Sequence, residues 1–227
     1  EEHSETAFMT NRAMEFIEES KDKPWFLHLS YIKPHWPYMA PAPYHNMYSA
    51  NEFYPVHRND AERNNDHPVY KAFMENSISK TFSKDEVRNT VLAGYMGLIK
   101  QIDDNLGRLF KFLEEAGHME DTMIIFTSDH GDYQGDHWLG EKELFHEQSV
   151  RVPMIIYDPS DYANKTRGTK EQRFIEAIDL LPTFLDAVES PVSKHRLEGS
   201  YLIPLLKGEE TKNWKEFVFS EIDYAFN

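Results

Sequence analysis

Asp129 and His130 stand side by side, behind the apolar run Thr122 to Thr127 and ahead of Gly131. A carboxylate oxygen and an imidazole nitrogen are both donors that a divalent metal accepts, and the mixed pair suits Mn, Zn or Fe better than an all-oxygen shell would. Gly131 would let the chain turn sharply beside an ion. Further on, Lys142 in Gly140-Glu141-Lys142-Glu143 could reach a tetrahedral anion as a point charge. Upstream, His35 lies within Lys33-Pro34-His35-Trp36-Pro37. Two prolines predict a stiff, extended mount, which suits a group that protonates a leaving group or hydrogen-bonds an oxyanion. Each residue has an ordinary alternative. Asp129 could cap the next turn, with His130 a polar loop residue; Lys142 could be solvated at a helix start; His35 could pack beside Trp36. Residue type and spacing leave these alternatives open.

The other polar candidates read more simply. His137 in Gly135-Asp136-His137 reads as loop structure, and His45, His57 and His67 as solvated. Asp103 and Asp104 fall mid-helix, in solvated or capping roles. Glu147, Ser149 and Arg151 form a polar turn before a strand, where a buried Arg–Glu pair would be architectural.

The elements that must carry these residues follow from periodicity. Residues 4–19 predict an amphipathic helix capped by Ser4, with Phe8, Met14 and Ile17 on its apolar face. Trp25 to Tyr31 predicts a buried strand. From 33 to 80, prolines at 34, 37, 41, 43, 55 and 68 break every candidate element. Residues 45–80 therefore read as an irregular insertion, mobile or lid-like, within a single partial domain over 1–227. Ser83 to Glu86 has the form of a capping box opening a long helix. The stripe Val87, Val91, Tyr95, Leu98, Ile102, Leu106, Leu109, Leu113 carries it to about Glu115, and Gly117 stops it. The run 122–127 predicts a central strand covered on both faces, Val152 to Tyr157 a second, 178–188 a helix and 216–220 an edge strand. Strands alternating with helices predict an α/β fold with a mostly parallel sheet, and ligands in such sheets bind beyond the strand carboxyl ends, where Asp129 and His130 lie.

Composition sets bounds. The 227 residues carry a net charge of −15, which repels phosphate backbones and argues against nucleic-acid binding. The same field repels an anionic substrate, so local cations must outweigh it. The absence of Cys excludes disulfides and thiolate metal sites. No apolar run approaches the ~20 residues of a membrane span. The start at Glu1-Glu2-His3-Ser4 reads as internal to something longer; the chain is expected to be water-soluble, in the cytoplasm or a periplasm, with its assembly open to a homo-oligomer.

Several motifs together resemble the sulfatases of the alkaline phosphatase superfamily. Thr127-Ser128-Asp129-His130-Gly131, Gly135-Asp136-His137, Gly140-x-Lys142 and Glu147-x-Ser149-Val150-Arg151-Val152-Pro153 occur in that family's order and spacing. Ile178-Asp179-Leu180-Leu181-Pro182-Thr183 and Leu205-Leu206-x-Gly208 also match. Pro34-His35-x-Pro37 with Ala40-Pro41-Ala42-Pro43-Tyr44-His45 looks most like the phosphonate monoester hydrolase branch. The resemblance implies a three-layer α/β/α sandwich, incomplete here, and a small anionic sulfate, phosphonate or phosphate ester as substrate. It implies one divalent metal (Mn, Zn or Ca) with Asp129 and His130 among its ligands, and His35 and Lys142 on the ester oxygens. It also implies a formylglycine nucleophile made from a Cys or Ser in a Cys/Ser-x-Pro-x-Arg motif. This sequence has no such motif and no counterpart of the family's early acidic ligands. The chain is therefore expected to be a fragment, inactive alone, with a weakly filled metal site. A catalytically dead module of the same fold and a two-metal phosphatase or mutase are the alternatives.

Overall fold

The computed structural model describes residues 1–50, 53–191 and 196–222. Backbone contacts divide the chain into two compact units, Glu1–Met119 with His130–Arg151, and Glu120–Asp129 with Val152–Asn227.

In the first unit, helix α1 (Glu5–Ser20) starts where the sequence predicts, with Ser4 Oγ accepting from the Ala7 amide at 3.2 Å. Its buried face includes Ile17, as expected, but not Phe8. Thr6, Ala7, Thr10, Ala13 and Ile17 are buried, whereas Phe8 is 58% exposed. Small side chains let two helices approach closely, and this face meets the long helix, called α4 below. Residues 25–31 show the alternating burial of a strand, yet form no ladder. The segment expected to be irregular contains two helices, α2 (Pro68–Glu75) and α3 (Ser77–Phe82). Pro68 opens α2 instead of breaking it, because its missing N–H is an orphan in the first turn anyway. Asn76 then caps α3, accepting from the Ser79 amide at 2.7 Å.

Helix α4 (Asp85–Glu115) follows. The expected capping box does not form: Ser83 Oγ donates to the Ser79 carbonyl at 2.8 Å, finishing α3, and Lys84 opens α4 without a side-chain cap. Leu98, Ile102, Leu109 and Leu113 are buried as their spacing predicts. Gly97, Gln101 and Asn105 are buried on the same helix. A Cβ on Gly97 would sit 2.5 Å from the Tyr44 carbonyl oxygen, so only glycine lets the 33–46 segment seat on α4. Gly117, at φ +76°, ends the helix, and the His118 amide donates to Leu113 O at 2.8 Å.

The second unit holds strands β1 (Ile124–Thr127) and β2 (Met154–Tyr157), with the short helix α5 (Glu147–Val150) of the first unit between them in sequence. The strands pair antiparallel, Ile124 opposite Tyr157 and Thr127 opposite Met154. Among the described residues the sheet has these two strands only, one antiparallel pair of an incomplete α/β fold. Apolar runs carry no information on strand direction, which the connection decides. Nor are both faces covered: Phe126 and its partner Ile155 are 36% and 62% exposed. Residues 216–220 form no strand. Helices α6 (Leu180–Ala187) and α7 (Ile203–Leu206) complete this unit, where the fully buried Asp179 carboxylate takes both oxygens to Lys215 Nζ at 2.8 and 2.9 Å. No helix among the described residues is long and apolar enough to cross a membrane.

Candidate active site

His35 sits on a turn, not on the extended segment that its flanking prolines predict. Its amide donates to Ile32 O at 3.1 Å, and Lys33 Nζ closes the loop onto Pro37 O at 3.0 Å and His35 O at 3.4 Å. The ring is held by its Nδ1, 3.0 Å from the Trp36 carbonyl oxygen. A carbonyl only accepts, so Nδ1 carries the hydrogen and Nε2 the lone pair. Lys142 Nζ donates into that lone pair at 2.9 Å across 107 residues of chain. His130 joins them: its ring centroid is 6.3 Å from that of His35. His130 Nδ1 is 2.8 Å from the Gly131 carbonyl, which fixes the same tautomer. Three of the four residues singled out from sequence are thus brought together.

Gly131 is required for close approach, not for a turn. A Cβ there would lie 2.0 Å from Gln148 O, and the Gly131 amide donates to Ser149 O at 2.7 Å. Ser149, 4% exposed, also sends its hydroxyl to the Lys142 carbonyl at 2.5 Å. One buried serine therefore ties the backbone beside His130 to the backbone of Lys142. The Arg151–Glu147 pair, 3.2 Å apart, is a surface contact with side chains 78% and 73% exposed, so the expected buried pair is absent and Ser149 does the anchoring.

The loop between His130 and Lys142 is conformationally costly. Gln134, His137, Trp138 and Glu141 all have positive φ, between 47° and 63°. Left-handed non-glycine residues cost about 1–3 kcal/mol each and persist only when their surroundings hold them. The holding groups come largely from the segment expected to be irregular. Tyr70 on α2 donates to His137 O at 3.0 Å, Ser79 Oγ on α3 accepts from the Gly140 amide at 3.1 Å, and Arg88 Nε on α4 donates to Gln134 O at 3.0 Å. Tyr70, Tyr133 and Leu139 form a buried cluster beneath them.

The stretch around 57–63 adds a strap. The His137 amide donates to His57 O at 2.8 Å, the His57 amide to Asp136 Oδ1 at 3.0 Å, and Trp138 Nε1 to Asn59 O at 2.7 Å. The Arg58 and Arg63 guanidinium groups lie 4.1 and 3.6 Å from the Trp138 ring centre. His137 stacks on His146 at 4.1 Å and bonds Glu62 through Nδ1 at 2.8 Å. His57, expected to be solvated, thus braces the loop through its backbone. Periodicity gave no sign of this, since neither the strap nor the loop is regular; the density of His, Trp and Arg was the available signal.

Charge near Lys142 is mixed. Glu141 and Glu143 flank it, and the Glu141 carboxyl is pushed above its ordinary range by burial first and by Glu143 second. The Lys142 ammonium itself donates to a neutral nitrogen.

Asp129 belongs to the second unit, where Ser128 Oγ lies 3.4 Å from its Oδ1. As donor types, a carboxylate and an imidazole whose Nδ1 is spent on a carbonyl fit a divalent ion. Among the described residues no group of three or more His, Asp or Glu is arranged to hold a metal.

The sulfatase family model matches residues 2–190. The multifunctional alkaline phosphatase superfamily protein PehA of Trinickia caryophylli is 36% identical over 98% of this chain and 45% of its own length. An arylsulfatase of Clostridium perfringens is 30% identical over 97% of the chain and 45% of its own length. The crystal structure of the phosphonate monoester hydrolase of Agrobacterium radiobacter superposes with a TM-score of 0.88 at 32% identity, over 99% of this chain and 47% of that one. The chain therefore spans about half the length of the relatives it matches, and has part of their alkaline phosphatase-like α/β fold. By the span of the family match, this chain belongs to the sulfatase family of the alkaline phosphatase superfamily.

Proposed function

We propose that this chain supplies the anion-gripping side and part of the metal site of a hydrolase acting on small sulfate, phosphonate or phosphate esters. The observation that carries the reading is the Lys142 Nζ to His35 Nε2 contact at 2.9 Å, with the His130 ring beside it. An ammonium resting on a neutral imidazole keeps its full positive charge for an incoming anion. When an ester oxygen takes the place of the imidazole lone pair, Lys142 neutralises developing charge. His35, fixed by Trp36 O, holds its Nε2 toward the same space and, once protonated there, donates to the leaving oxygen. Asp129 and His130 are two ligands of a divalent metal, which together with the family's formylglycine would supply Lewis acidity and the nucleophile. The sequence contains no Cys and no Ser-x-Pro-x-Arg, so the nucleophile is proposed to come from residues outside it.

The test is kinetic. In the complete protein, Lys142→Ala should lower kcat/KM on aryl sulfates or phosphonate monoesters by roughly a hundredfold or more, within the usual range for losing one charge-stabilising group. The 227-residue chain alone should show no turnover. Hydrolysis by the isolated chain that survives Lys142→Ala sinks the proposal. A panel of aryl sulfates, phosphonate monoesters and phosphodiesters on the complete protein decides the substrate class.

A further inference from the structure

We propose that Tyr38 and Asp132 are a positioning pair that sets the His35 strip against the His130–Lys142 loop, an inference that rests on the ester-hydrolase reading above. Tyr38 Oη donates to Asp132 Oδ2 at 2.9 Å, joining residues 94 apart in sequence. The other carboxylate oxygen, Oδ1, accepts from the Gln134 amide at 3.0 Å. Asp132 is thereby clamped to its own loop with one oxygen while it holds the tyrosine with the other.

The tyrosine is equally fixed at its other end. Its ring meets Phe82 and Tyr95 edge-on, with centroids 6.2 and 6.1 Å away. Its carbonyl oxygen lies 2.6 Å from where a Cβ on Gly94 would be, so α4 admits this strip only because residue 94 is glycine. Tyr38 follows His35 by three positions and Asp132 follows His130 by two. The local bonds of His35, from its ring to Trp36 O and from its amide to Ile32 O, lie within its own turn and would travel with it. The Tyr38–Asp132 bond ties that turn directly to the loop, alongside the flexible Lys142 side chain. The proposed chemistry uses neither residue directly.

A group that acts by placing His35 has a distinctive kinetic effect. Leaving-group protonation matters most for esters with basic leaving groups and little for activated ones. Displacing His35 should therefore steepen the dependence of rate on leaving-group pKa, while a purely structural role would lower all rates alike or lower only the melting temperature.

The experiment uses the complete, metal-loaded protein with Tyr38→Phe, Asp132→Asn, the double variant and His35→Ala, assayed on a series of aryl esters of graded leaving-group pKa. Tyr38→Phe keeps the ring packing and removes only the hydroxyl. The expected result is a kcat loss of about tenfold on the poorest leaving groups, little loss on the best, and KM within about twofold. The double variant should be no worse than either single one, because both remove the same bond. Uniform losses across the series, or additive losses in the double variant, overturn the pair while leaving His35 in place. If His35→Ala itself shows no leaving-group dependence, the role of His35 falls and the positioning proposal falls with it.

Discussion

Replacing Gly131 by alanine tests the local architecture without any need for turnover. The added Cβ would lie 2.0 Å from Gln148 O and 3.0 Å from the carbonyl carbon behind it. An ordinary carbon–oxygen contact is about 3.3 Å, so one backbone must retreat by more than ~1 Å. That movement breaks the 2.7 Å bond from the Gly131 amide to Ser149 O. Overpacking costs about 1–3 kcal/mol and the lost hydrogen bond about 1 kcal/mol, giving roughly 2–4 kcal/mol in all. For a chain of this size, 1 kcal/mol moves a melting temperature by about 2–4 °C, so a drop of about 5–15 °C is expected. Two compact units need not melt together, and the assay must see the right one. Trp25, Trp36 and Trp138 lie in the first unit and Trp214 in the second, so fluorescence melts in a Trp214→Phe background report the first unit. The same retreat carries off the Gly131 carbonyl that holds His130 Nδ1, so affinity for Mn or Zn should fall in parallel. A Gly131→Ala chain that melts within ~1 °C of its parent would refute the close approach and, with it, the account of how His130 is aimed.

Other outcomes follow from the same contacts. Ser149→Ala removes the hydroxyl bond to Lys142 O but keeps the backbone bond to Gly131. Stability should drop by about 1–2 kcal/mol, and turnover of the complete protein should fall with metal affinity unchanged, measured by chemical denaturation, steady-state kinetics and metal titration. Arg173 holds the Glu171 carboxyl down at about 2 through its hydrogen bond. A depressed folded-state value contributes stability above the unfolded carboxylate range that is lost as pH falls from about 4.5 to about 2. Arg173→Ala should flatten the acid limb of the stability curve over that window, by a small amount because both side chains are about a third exposed. Tyr44, buried and donating to Asp104 Oδ2 at 3.0 Å, is pushed up to about 12 by burial and then by that carboxylate. Its contribution is present below pH ~10 and lost as pH rises toward 12, so Tyr44→Phe should be relatively more stable at high pH than at neutral pH in paired denaturation curves.

Much of this was legible in the sequence, for identifiable reasons. The long helix was readable because Leu98, Ile102, Leu109 and Leu113 repeat at helical spacing, and its end because Gly117 permits a left-handed residue. The start of α1 was readable from Ser4. Its buried face was not, because hydrophobicity points to Phe8 while helix contact selects the small residues Ala7 and Ala13. Proline misled twice in the segment after residue 33. At 68 it begins a helix, and around His35 the pair of prolines belongs to a turn that Lys33 closes. Strand direction was illegible, since Ile124–Thr127 and Met154–Tyr157 read the same in either orientation. His35, His130 and Lys142 were named from their motifs; Ser149 was read only as part of a polar turn, and Tyr38 and Asp132, proposed to position them, were not singled out. The Tyr38–Asp132 bond joins residues 94 apart and the Ser149 bond spans a loop, and no periodicity records either.

The acidity of the chain and its proposed anionic substrate are compatible once distance is considered. A net charge of −15 acts mainly through charges far from the site, and at physiological salt such effects fade beyond about 8 Å. A unit pair at 4 Å, near a surface, interacts by about 4 kcal/mol, so what touches the ester decides the outcome. Lys142 and His35 are in contact, and Glu141 and Glu143 flank the lysine in sequence. Burial first, and the hydrogen bond with Glu143 second, shift the Glu141 carboxyl above its ordinary range. The costly left-handed residues between His130 and Lys142 have the same logic. They place an imidazole and an ammonium from one loop against an imidazole from a distant turn, and the strap at 57–63, with α2, α3 and Arg88, keeps that loop from relaxing into a cheaper shape in which the three would part.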